Sequence, residues 1–457
     1  MKLFTYSAIV TACSAALGLT LLSGERLFAA PDAPAAATAA PASPPPASTA
    51  PLPVLSADIP FDLTVTGKID VTGLQHDFDV LSWDTFVAVN SPVPPGPAIG
   101  QNGDNATVWE TWKDADQIFL PNGAKPGPWN APATLPAICK EHLNPGMRLL
   151  SQIAKVPPAL MDSVQPFQTG PLIDQNGRYA RFEIVVNETA FNYIVDNSLY
   201  SKAGQKPVKK VVFPCGSKPD KAVGAIIIKA AWKVLSDEEK KSGRYHTAEA
   251  MVYSEKSENP PVEAKCEKLT VGLVGFHIVH KTASAPQWVW STFEQVDNCP
   301  IDGEVASHPS YNFFDKNAVT AKVNEPPARP WNPDKIEPPA RRSQIVRKIP
   351  LTQATKDLNA QYQAALKKVN PKSVWQYYEL ISTQWPTQPT TSCDVLATPQ
   401  TDLAGAPAPQ FLGNSTLESY IQGTVPNVSS SCMECHANAG ATNAVFSDFT
   451  YLLQRAQ

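Results

Sequence analysis

The sequence predicts an α+β protein: an antiparallel-sheet-rich main domain followed by a short helical segment at the C-terminus. Three observations lead there. Several stretches alternate apolar and polar residues with the period of a half-buried strand, helical stretches are few, and 45 prolines gather in connections such as 91–97 and 325–339. No internal repeat of fixed period shows, and a sandwich is among the arrangements this pattern allows.

The strands follow in order. In Tyr179–Val186, the residues Ala180, Phe182, Ile184 and Val186 share one side, while Tyr179, Arg181 and Glu183 share the other. Lys221–Leu235 repeats the pattern with Ile226, Ile228, Ala230, Trp232 and Val234 inward. Val271–His280 is apolar on both faces, which predicts a central strand. Gln287–Val296 follows after a short Lys-Thr-Ala-Ser-Ala-Pro connection and reads as its antiparallel hairpin partner. Helices are predicted over Asp77–Asn90, Asn187–Ser198 and Gln353–Lys368, with two short ones towards the C-terminus. Ser415-Thr416-Leu417-Glu418 has the form of a capping box that would start a helix carrying Leu417, Tyr420 and Ile421. Ser447 would cap a last helix with Phe449, Leu452 and Leu453 as its apolar stripe.

The first 30 residues read as a bacterial-type secretory signal: Lys2, then an apolar run through Leu22 with no other charge. Val10-Thr11-Ala12-Cys13 also has lipoprotein character, although the apolar run continues past Cys13. Residues 31–58 are rich in Ala, Pro, Ser and Thr, a composition that buries too little apolar surface to offset chain entropy, and read as a linker. Such a linker suits a secreted or periplasmic protein and would equally serve a membrane tether through the N-terminus. The sheet-rich domain is expected over 59–390 and the C-terminal segment over 391–457. No second apolar span of membrane length follows the signal. A net charge of −4 without a concentrated basic stripe gives no reason to invoke nucleic acid; Lys209-Lys210, Lys240-Lys241 and Arg341-Arg342 read as solvated faces or a patch for an acidic redox partner.

Near the end stands Cys432-Met433-Glu434-Cys435-His436, the Cys-x-x-Cys-His spacing that attaches a c-type haem through two thioethers, with the histidine as proximal iron ligand. A thioredoxin-like pair would need an α/β fold after it, and only 21 residues follow His436. A structural zinc site would need two more ligands nearby; the next cysteine back is Cys393, and no histidine lies beyond His436. The motif therefore predicts one covalently attached haem c, held by Cys432, Cys435 and His436, in an oxidising compartment. Apart from Cys13 and the haem pair, five cysteines remain: Cys139, Cys215, Cys266, Cys299 and Cys393. Cys266 with Cys299, which flank the hairpin, and Cys139 with Cys215 are the preferred disulfides.

The stretch from Leu412 to Gln457, with Asn414-Ser415-Thr416-Leu417-Glu418 leading to Ser431-Cys432-Met433-Glu434-Cys435-His436, resembles the haem segment of bacterial exported proteins grouped generically as cytochrome c family. Residues 271–298 and Trp83-Asp84-Thr85-Phe86-Val87-Ala88-Val89-Asn90 resemble other parts of the same group. The resemblance implies haem binding through Cys432, Cys435 and His436, and export. It implies no substrate.

No Met or His follows His436, so a sixth ligand would come from upstream: Met147, Met161, Met251, His76, His142, His246, His277, His280 or His308, with an open iron as the alternative. His277 and His280 are three apart on a strand and point to opposite faces, so at most one meets the haem. Trp288, Trp290, Thr292 and Glu294 share a face, and a carboxylate beside indoles is placed for a raised pKa. His277, His280 and Glu294 are thus the candidates for distal acid/base work, against ordinary core packing for each. The Trp109–Asp116 stretch reads as structural. Three functions compete: single-electron transfer with a redox partner protein; a peroxidase-like or oxygen-using haem-c oxidoreductase acting on a small molecule; and a gas-sensing or binding module.

Overall fold

The computed structural model describes residues 51–93, 99, 106–133, 136–142, 148–151, 170–254, 256–258, 261–304, 306, 308–318, 322–389, 393, 407–426 and 429–457. The signal segment and most of the linker lie outside them. From Pro51 onward the chain forms a single compact unit, and Leu55 already packs against its core.

The strands are β1 (Lys113–Asp114), β2 (Arg148–Leu150), β3 (Arg181–Val186), β4 (Ile226–Val234), β5 (Thr247–Ser254), β6 (Ser257–Glu258), β7 (Pro261–Val262), β8 (Lys265–His280), β9 (Val289–Gln295) and β10 (Tyr378–Gln384). The helices are α1 (Val71–Val89), α2 (Glu188–Asp196), α3 (Lys202–Gln205), α4 (Asp237–Ser242), α5 (Gln353–Val369) and α6 (Cys432–His436). The fold is α+β, built on one curled, mostly antiparallel sheet of eight strands, with β6 and β7 as a separate hairpin.

β8 is the spine. β4 runs along one of its edges from Val271 to His280; on the other, β5 pairs with Lys265–Gly272 and β9 with Gly275–His280. β10 extends the sheet beyond β9, and β2 joins β5 in parallel. The central strand and its hairpin partner are where the apolar pattern put them, and β8 begins six residues earlier than expected.

Both faces of this sheet are covered by helices and loops, and among the described residues no second sheet packs on it to make a sandwich. On one face lie α1 and α5, packed over Ile226, Ile228, Ala230, Trp232, Phe276, Ile278 and Phe293. Trp83 of α1 stacks on Tyr362 of α5 at 4.9 Å and meets Phe293 edge-on at 5.1 Å, geometries that suit aromatic quadrupoles. α1 starts at Val71 because Asp70 caps it, its carboxylate accepting from the Gly73 N–H at 2.8 Å. On the other face, Ile184, Val186, Ile227, Trp288 and Trp290 pack against α2 and residues 433–456.

The C-terminal segment departs from the expected helices. Residues 415–420 form turns. Asn414, one residue earlier than the expected cap, takes the N–H groups of Thr416 and Leu417; Glu418 accepts from the Asn414 N–H and contacts His277 of the sheet, and Ser415 bonds to Glu294. The turn approaches β8 so closely that a Cβ on Gly275 would stand 1.9 Å from the Thr416 hydroxyl. Ser447 opens a tight turn, and the last helical piece is a 3-10 turn, Tyr451–Arg455, capped by Thr450.

The disulfides are also not those expected. Cys139 joins Cys266, and Cys215 joins Cys393. The length of β8 explains why. Cys266 sits at its start, whereas Asn298, beside Cys299, donates to the Val274 carbonyl, about 26 Å further along at the rise of a strand. Cys215 sits at the far end, where the Gly216 N–H donates to the Lys281 carbonyl. Either expected bridge would have to span the strand. Cys299 is a buried thiol, its pKa pushed up to about 12 by burial.

Candidate haem-attachment site

In α6 the residues Cys432, Cys435 and His436 stand at helical spacing on one face, and all three are half-buried. Met433 and Ala437 lie on the adjoining side of the helix and are buried in one cluster with Trp288, Trp290, Phe449, Leu452 and Leu453. Burying one such side chain contributes on the order of 1.5–3 kcal/mol, so the apolar face fixes which way the other one points.

Polar contacts hold both ends of this five-residue helix. At its start the Gln384 carboxamide, at the end of β10, accepts from the Met433 N–H at 2.8 Å and donates to the Ser431 hydroxyl at 3.1 Å. It also donates to the carbonyls of Pro409 and Gln410, which satisfies a fully buried amide. At the other end the Tyr451 hydroxyl donates to the Cys435 carbonyl at 2.9 Å.

The decisive contact is at His436, whose Nδ1 lies 2.6 Å from the Phe449 carbonyl. A carbonyl only accepts, so the proton sits on Nδ1 and the ring's basic lone pair is on Nε2. The Trp290 ring lies 4.5 Å from the imidazole and that of Tyr451 5.2 Å, which fixes the ring plane. A histidine held by a carbonyl at one nitrogen is prepared to ligate a metal through the other.

The Phe449 carbonyl is itself held in place. Ser447–Thr450 is a turn closed by Thr450 N–H to Ser447 C=O at 3.1 Å, with Asp448 at φ 53° and Phe449 at φ 64°. Both central residues are left-handed, as in a type I′ turn, where Asn-Gly is the favoured pair. Asp-Phe there costs of order 1–3 kcal/mol per residue. The surrounding contacts offset it. Asp448 receives the Phe213 N–H at 2.7 Å and pairs with the buried Lys281, and its carbonyl accepts from the Trp288 indole at 3.0 Å.

Of the distal candidates, His277 faces the same side of the sheet as Trp290, and its Nε2 lies 3.1–3.2 Å from both carboxylate oxygens of Glu418. His280 points to the opposite face, as the strand period requires, with its pKa lowered to about 4 by burial and neither ring nitrogen hydrogen-bonded. Glu294 shares the face of Trp288, Trp290 and Thr292, but it is taken up structurally: it accepts from the Ser415 N–H at 2.6 Å and from the Ser415 hydroxyl, and it pairs with Arg347.

The other ligand candidates are dispersed. Met251 is in register with Lys268, about 36 Å along β8 from Val279, the partner of Trp290. His246 contacts Glu110 and stacks on Trp375, His308 bonds Asp297, and His76 is exposed on α1. Met147, Met161 and the His142 side chain lie outside the described residues.

These residues fit a c-type haem. Two cysteines outside both disulfides share a helix face with a histidine whose tautomer presents Nε2. Among the described residues no group of three or more His, Cys, Asp or Glu side chains could hold a metal ion, so zinc at Cys432 and Cys435 finds no further ligands there. Sequence reasoning missed Gln384, Lys281, Asp448 and Phe449. The first is an isolated glutamine at a strand end, and Asp-Phe is not a turn signature. Among the described residues no helix is long and apolar enough to cross a membrane.

No protein-family model matches this chain, and comparison with curated proteins and with solved structures found no match.

Proposed function

We propose that this protein is an exported c-type haem protein that transfers single electrons to or from a partner redox protein. The reading rests on one observation above the others: the His436 Nδ1 contact with the Phe449 carbonyl, on the helix face that also carries Cys432 and Cys435. A haem bound there would supply a one-electron Fe(III)/Fe(II) couple. Cys432 and Cys435 would hold it covalently. His436 would ligate it through Nε2 while its Nδ1–H stays on the Phe449 carbonyl, a contact that raises the imidazole's donor strength. Trp290 packs against the histidine and shares a buried apolar cluster with Met433, while Cys432, Cys435 and His436 stay half-buried. The apolar N-terminal segment and the Ala/Pro-rich linker support maturation outside the cytoplasm.

The test is an absorption and EPR spectrum of the periplasmically matured full chain, oxidised and reduced, with and without carbon monoxide. A low-spin haem that ignores carbon monoxide supports electron transfer. A high-spin iron that binds it favours the second reading, a haem-c oxidoreductase, for which His277 held by Glu418 on the same sheet face would be the acid/base pair. A chain without haem would end both.

A further inference from the structure

Three residues outside the motif converge on one turn. Asp448 sits one residue before the carbonyl that receives His436, its carboxylate is paired with Lys281 just past the end of β8, and its own carbonyl is taken by Trp288 just before β9. Lys281 is 1% exposed and Asp448 3%. The Lys281 ammonium lies 5.5 Å from the Trp288 ring, so both sheet residues and the turn form one unit. The turn's left-handed Asp448 and Phe449 would relax if that unit loosened, and the Phe449 carbonyl would swing away from Nδ1.

We propose that the buried Lys281–Asp448 ion pair is a positioning device for the proximal ligand: it holds the strained turn so that the Phe449 carbonyl polarises His436, and it thereby sets the reduction potential of the bound haem. The inference rests on the haem reading above. Lys281 and Asp448 act through the turn, whose Phe449 carbonyl receives His436 Nδ1. Withdrawing the carbonyl makes the imidazole a poorer donor, disfavours Fe(III), and raises the potential.

The experiment uses the full chain matured with haem, as wild type and as the double variant Lys281→Met/Asp448→Asn, which keeps the buried pair neutral. Lys233→Met is the control, since Lys233 is an equally buried cation paired with Asp174 and Glu239, and it lies beside Gly272 in the middle of β8, away from the turn. Potentiometric titration should show the double variant's midpoint raised by about a tenfold change in the reduced-to-oxidised ratio, roughly 59 mV for one electron, and the control unmoved. An unchanged midpoint in the double variant, or an equal rise in the control, overturns the proposal and leaves the haem reading standing. A wild type that loads no haem ends that reading itself. If the double variant does not accumulate, the wild type still decides: its His436 Nδ1 proton should exchange slowly with solvent by NMR, and fast exchange overturns the proposal.

Discussion

His436 and His280 show how one residue type is used in two ways by two environments. On the haem reading, replacing His436 by Ala should abolish stable holo-protein, read as loss of the haem absorption bands in matured protein; an unaltered spectrum would refute the ligand assignment. His280 is buried without a hydrogen-bond partner, and burial depresses its pKa to about 4 against 6.5 when exposed. The folded state therefore binds fewer protons than the unfolded one between those values, and its stability falls as pH drops from about 6.5 to about 4. Asp79, with its pKa raised by burial to about 6, pulls the other way but is common to both proteins in a comparison. His280→Leu should therefore gain on the wild type by about 3 kcal/mol across that window, measured by urea denaturation at pH 7 and pH 4.5. A constant difference would place His280 in a polar or solvated site.

At the scale of elements, the strands were legible and the C-terminal segment was not. Ile226, Ile228, Ala230, Trp232 and Val234 announce their common face because a strand's period is strict and the sheet is covered on both sides. The expected capping box at Ser415 failed for a tertiary reason: Glu418 is drawn to His277, and Ser415 to Glu294. Likewise the apolar stripe of Phe449, Leu452 and Leu453 is real, but the chain reaches it through a left-handed turn that no local preference of Asp-Phe favours. The Cys-x-x-Cys-His spacing stands out in the sequence because covalent attachment of a haem would demand it. Its supports do not, because Gln384 and Lys281 reach α6 and its neighbouring turn only through the fold. Gln384→Ala should leave the sheet intact and unpin the start of α6, costing about 1–3 kcal/mol and lowering the yield of attached haem severalfold. Full haem yield with unchanged stability would show that Gln384 holds nothing.

At the scale of the whole molecule, a long central strand joins distant parts of the chain, and each disulfide fastens one of its ends. Cys139–Cys266 closes a separation of 127 residues at the start of β8, and Cys215–Cys393 closes one of 178 beyond its end. Loops of that size constrain the unfolded chain by up to about 5 kcal/mol each. Reduction of the native protein should therefore lower the denaturation midpoint substantially, and Cys299 should react with a thiol reagent only on unfolding; reaction in the native state would contradict its burial. The same architecture makes the C-terminal segment part of the main folding unit, because α6 and the turn at Asp448 are held by residues in and next to β8, β9 and β10. The most direct test of the central claim is mass spectrometry of the peptide containing Cys432–His436, taken from protein matured in the periplasm alongside a cytochrome c maturation system. The account predicts one haem bound covalently through both Cys432 and Cys435. The same peptide recovered with unmodified thiols, or with the two cysteines joined to each other, would contradict it.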